Sequence, residues 1–102
     1  MGIVAYIETE SGELIEELPD TYSLVDELIP DLEDKTSVCL RFIDPYGDTT
    51  FNQNQIPVLI NELTAALELT KSHKAKEHGK KLLSLIERAN GKVHTYLKFI
   101  GD

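Results

Sequence analysis

The sequence predicts an α+β two-layer sandwich, with a mainly antiparallel sheet of about five strands and helices on one face. Three observations lead there. Short β-rich runs alternate with turn residues in both halves of the chain. Two longer stretches, 56–70 and 75–89, carry apolar residues at spacings of three and four. The chain has 102 residues, 41% hydrophobic and 27% charged, which suits a single domain over 1–102. Such a domain buries roughly two-thirds of its unfolded surface, enough for one core without a disulfide or metal staple.

The expected order is β-β-α-β-β-α-α-β, with two long helices and one short one. Ile3–Ile7 is the first strand and Glu13–Leu18 the second. Thr9-Glu10-Ser11-Gly12 turns between them, Gly12 supplying a positive φ. Ser23-Leu24-Val25-Asp26 resembles a capping box that opens a short helix, and Pro30 stops that helix near Ile29. Val38–Ile43 reads as the clearest strand, with Val38, Leu40 and Phe42 on one face and Cys39, Arg41 and Ile43 on a mixed second face that suggests a central or partly covered position. Asp44-Pro45-Tyr46-Gly47 fits a type I turn, and Asp48–Phe51 returns as a short strand. Asn54 is the expected N-cap of the next helix, with Pro57 in its first turn and an end near Thr70. A second helix runs from about Lys74 to Asn90, weakened near its start by Gly79 and stopped by Asn90-Gly91. Val93–Ile100 is apolar on both faces and reads as an interior strand. Leu40–Asp44 is echoed by Leu97–Asp102, which suggests two neighbouring central strands.

The charge is lopsided. The formal net charge is −8. Residues 1–34 hold eleven acids and no Lys or Arg; the remainder holds seven acids and ten bases. An acidic surface repels phosphate backbones, so no nucleic-acid partner is expected. It attracts basic proteins instead. Lys71, Lys74, Lys76, Lys80 and Lys81 form a local basic cluster at a helix start, where the helix dipole disfavours cations.

The chemistry-bearing residues are sparse. Cys39 is the lone cysteine and sits in an apolar run, as a small buried hydrophobe does. His73 and His78 are five apart, on different helix faces, and H-E-x-x-H is absent, so no metal site is expected. No phosphate loop, nucleophile elbow or C-x-x-C occurs, which argues against an enzyme and against a cofactor. The N-terminal apolar run is too short for a signal peptide or membrane span, so a cytoplasmic location and no membrane partner are expected.

Asp44-Pro45-Tyr46-Gly47-Asp48-Thr49 with Phe51-Asn52, the helix opening at Gln55-Ile56, and the ending His94-Thr95-Tyr96-Leu97-Lys98-Phe99-Ile100-Gly101-Asp102 resemble a family of small uncharacterised bacterial proteins. In order and length the resemblance spans nearly the whole chain. It implies a bacterial cytoplasmic origin and carries no catalytic residues.

Two functions follow as expectations. The first is a non-catalytic acidic binding protein, in its sharp form an immunity- or antitoxin-type protein that neutralises a basic toxin. Glu10, Glu13, Glu16, Glu17, Asp20, Asp26, Glu27 and Asp31 would carry that contact. The second is a small-ligand site or enzyme built on Asp44, Tyr46, Asp48, Asn52 and His94. Homodimerisation through a strand edge is compatible with either.

Overall fold

The computed structural model describes residues 2–101. Met1 and Asp102, the last residue of the terminal motif, lie outside the described residues. Four strands form one sheet: β1 (Val4–Thr9), β2 (Leu14–Leu18), β3 (Asp48–Phe51) and β4 (Thr95–Ile100). Their order is β2-β1-β4-β3, and every neighbouring pair is antiparallel. Two long helices, α1 (Ile56–Leu69) and α2 (His73–Ala89), complete the α+β fold, with single 3₁₀ turns at Val25–Leu28 and Leu40–Phe42.

The sheet has four strands, not five, because Val38–Ile43 is not a strand. Its amides are spent elsewhere. Val38, Cys39 and Leu40 donate to the carboxylate of Glu62 on α1, and Arg41 N donates to Ser37 Oγ at 3.0 Å. Phe42 N donates to Cys39 O and Ile43 N to Leu40 O, which closes the 3₁₀ turn. Cys39, Leu40 and Ile43 are buried while Val38 and Phe42 are exposed, a turn-like spacing rather than the alternation of a strand. The echoed segments are therefore not paired strands. What joins them is a contact at their ends: Gly101 N donates to Gly47 O at 2.8 Å.

The hairpin forms as expected, with Gly12 at φ +88° and its amide on Thr9 O. A bulge between Ile7 and Glu8 leaves Ile15 without a counterpart in the register. β4 is interior, lying between β1 and β3, but begins at Thr95. Thr95, Leu97 and Phe99 face the core; Tyr96, Lys98 and Ile100 are half-buried on the other face, and Val93 is exposed.

Two helix starts, the first 3₁₀ turn and α1, differ from expectation, and α2 starts as expected. Ser23 does not cap the first; its backbone is left-handed (φ +57°). Asp20 caps instead, accepting from Leu24 N at 2.7 Å and Val25 N at 3.0 Å, and from Ile3 N at 3.2 Å. At α1, Asn52 and Gln55 cap each other's amides, a reciprocal box that takes the place of Asn54. At α2, Ser72 Oγ accepts from Ala75 N and the helix begins at His73, Gly79 notwithstanding. Gln53 ties the far end of α2 to the sheet. Its Nε2 donates to Ala89 O and Thr95 O, and its Oε1 accepts from Gly91 N.

The core lies between one sheet face and the helices. Ile3, Ala5, Ile7, Leu97 and Phe99 meet the buried stripes of α1 and α2. Phe51 packs edge-on against Phe99, with ring centroids 5.9 Å apart. α2 lies against β1, β2 and β4, whereas α1 packs on α2 and both 3₁₀ turns.

A Cβ at Gly101 would sit 2.2 Å from Pro45 O, a backbone atom that cannot step aside alone. Gly101→Ala is expected to cost about 1–3 kcal/mol through overpacking. A thermal melt checks this; an unchanged midpoint would mean that the Asp44–Gly47 turn is not held by the end of β4.

Candidate functional site

The Asp44–Asn52 segment is largely explained by its own backbone. Asp44 Oδ1 accepts from Tyr46 N at 2.8 Å, and Gly47 N donates to Asp44 O, as a type I turn requires. Thr49 Oγ1 accepts from Asp44 N at 2.9 Å. Asn52 Oδ1 accepts from the amides of Asn54 and Gln55. Asp48 has Lys98 Nζ at 3.8 Å on an exposed surface, where such a pair contributes little. Tyr46 is 83% exposed and joins the turn's bonding through its backbone amide. His94 precedes β4, whereas Asp48 pairs with Ile100 at the strand's other end. About six residues of extended chain, roughly 20 Å, separate the two. The fold thus does not bring His94 to the Asp44–Asp48 turn.

The acidic residues divide into three kinds. Asp20 is fully buried and collects three backbone amides. Glu10 pairs with His94 Nδ1 at 2.8 Å, and Glu16 with Arg88 Nη2 at 2.9 Å. The Arg88 hydrogen bond holds the Glu16 carboxyl below its ordinary range. Glu13, Glu17, Asp26, Glu27 and Asp31 are exposed. Of these, Glu13 and Glu17 lie at the hairpin and its edge strand, while Asp26, Glu27 and Asp31 lie in and just after the first 3₁₀ turn.

Of these, Glu27 borders a groove of about 350 Å³ between the 27–40 segment and the outer side of α1. Its walls are mostly apolar, including Leu28, Ile29, Pro30, Leu40, Ala66 and Leu69. Its charged lining residues are Glu27, Asp34 and Glu62, with no base among them. Leu69 is 81% exposed. Asp34 is kept ionised by hydrogen bonds from Thr36, first the hydroxyl and then the amide.

Glu62 builds the groove. One carboxylate receives Ser37 Oγ (2.8 Å), Val38 N (2.6 Å), Cys39 N (3.1 Å) and Leu40 N (2.8 Å). Burial pushes its carboxyl up, but the donors from Leu40, Val38, Ser37 and Cys39 together pull it below the ordinary range. Sequence reasoning missed Glu62. The one signal was its place three residues after Leu59 and four before Ala66, an acid on the shoulder of an apolar stripe. Cys39 is buried beside it; burial, then the Glu62 charge, push the thiol up, so it is a poor nucleophile.

Among the described residues no group of three or more His, Cys, Asp or Glu side chains is placed to hold a metal ion. No helix among them is long and apolar enough to cross a membrane. No protein-family model, curated protein or solved structure matches the chain.

Glu62→Gln places an amide NH₂ against a cluster of donors and is expected to cost about 2 kcal/mol at neutral pH. A carboxyl held low when folded stabilises above its unfolded value of about 4.5 and stops doing so as pH falls through its folded value. Urea melts of both proteins should therefore converge as pH is lowered from 7 towards 3. A gap that stays constant would mean that ionisation of Glu62 contributes nothing.

Proposed function

We propose that the protein is a non-catalytic binding module that receives a cationic, amphipathic segment of a partner protein in the groove between residues 27–40 and α1. The observation that carries this reading is the groove's composition. Apolar walls meet three carboxylates and no base. Apolar side chains of the segment would bury against Leu28, Leu40 and Ala66, while Lys or Arg at its flanks would meet Glu27 and Asp34. Glu62 already has its donors, so it contributes field rather than a free acceptor.

The exposed acids Asp26, Asp31 and Glu33 extend the negative field beyond the groove and favour rapid capture of a basic protein. A basic toxin held in this way would make the protein an immunity-type inhibitor. A toxin-domain reading frame directly upstream of the gene would identify that setting; an ordinary metabolic operon would remove the toxin form of the proposal.

A labelled Lys/Leu amphipathic peptide and its Glu/Leu counterpart test the groove directly. Anisotropy should report saturable binding of the cationic peptide alone, weakening as salt rises. Glu27→Lys and Ala65→Lys, both at exposed lining positions, should each weaken it about tenfold, or about 1.4 kcal/mol. Equal affinity for the two peptides, or indifference to both substitutions, would overturn the proposal.

A further inference from the structure

A second cleft, of about 440 Å³, shares no lining residue with the groove. One wall is the Pro19–Leu24 segment after β2. The other is the N-terminal half of α2, which presents Lys74, His78 and Lys81. These stand at i, i+4 and i+7, on one side of the helix, with the two lysine Cα atoms about 10 Å apart along the axis.

Three departures from ordinary structure converge here. The first turn of α2 carries no acid and instead begins His73-Lys74, against the helix dipole. Ser23 holds a left-handed backbone at φ +57° in the segment that forms the opposite wall. His78 is mostly buried, yet its Nε2 has no hydrogen-bond partner; Asp20 Oδ1 lies 3.7 Å away, beyond bonding reach. Unfavourable features gathered in one cleft mark a place shaped by something other than folding.

The charges facing the cleft resolve as follows. Asp20 is spent on the amides of Ile3, Leu24 and Val25. Glu77 is engaged at 3.1 Å by His73. Lys74 leans over the Tyr22 ring, 5.9 Å from its centroid, and Lys81 stands one turn past His78. Burial pushes the His78 imidazole down, Asp20 pulls it back up and Lys81 pushes it down further, with a net fall. Burial thus favours the neutral ring, and the lysines supply the positive charge.

From this geometry we infer that the cleft between Pro19–Leu24 and α2 binds a small phosphate-bearing ligand, with Lys74 and Lys81 holding the phosphate and Tyr22 offering an aromatic face to any organic group attached to it. Lys suits phosphate as a point charge, and the cleft has the size of a small-molecule site. An anion seated over His78 favours the protonated ring.

NMR titration of the full chain with inorganic phosphate, and separately with phenyl phosphate, tests this. Saturable shifts should be confined to residues 19–24 and 74–81, and the His78 ring should titrate at a higher pH when ligand is bound. Tighter binding of phenyl phosphate assigns the site to a phosphomonoester; equal binding assigns it to free phosphate. Lys81→Gln and Lys74→Gln should each weaken binding about tenfold, and Lys92→Gln, past the C-terminal end of α2, should not. Shifts spread over every lysine-bearing segment, no saturation, or equal weakening by Lys92→Gln would overturn the inference.

Discussion

Every buried backbone amide needs an acceptor, and the long stretch between β2 and β3 has neither strand nor long helix to supply one. Side-chain carboxylates meet that need. Asp20 gathers the amides of Ile3, Leu24 and Val25, which fixes the chain just before β1 against the first 3₁₀ turn. Glu62 gathers those of Val38, Cys39 and Leu40, which fixes the second 3₁₀ turn on α1. A hydrogen bond to a charged acceptor is stronger than a neutral one, so two side chains order segments that would otherwise be loops. Both the groove and the second cleft are walled by segments held in this way.

This explains which parts of the fold were legible. The hairpin, α1, α2 and β4 are specified by local pattern: Gly12 in its turn, Pro57 in a first helical turn, stripes such as Leu59, Leu63 and Leu67, and Leu97 alternating with Phe99. Val38–Ile43 was misread because its β-branched and aromatic residues do favour a strand. The competing factor is a carboxylate 22 to 24 residues further on, at a distance no local window reaches. The Asn52–Gln55 cap was visible at capping-box spacing, but Asn54 before Pro57 offered a simpler alternative.

The candidate sites were legible to a lesser degree. Counting acids located the negative end of the chain but not its geometry. Asp20 turned out to be internal, and Glu10 and Glu16 are matched by His94 and Arg88, residues more than seventy positions away. The field that a partner meets is therefore narrower than the formal charge suggests. The lysine cluster, by contrast, was visible in the sequence, yet only tertiary structure sets Tyr22 and Asp20 opposite it.

The sheet has two open edges, and β2 is one of them. It carries exposed Leu14 and Ile15, which is what invites another strand to add on. The bulge at Ile15 interrupts the ladder, and Glu13 and Glu17 place like charges where a second β2 would dock. The hairpin acids thus act as gatekeepers against self-association as well as determinants of charge. Salt that screens these exposed charges weakens this guard while the edge still exposes its apolar residues, so colloidal behaviour is coupled to the same side chains that set the protein's isoelectric point.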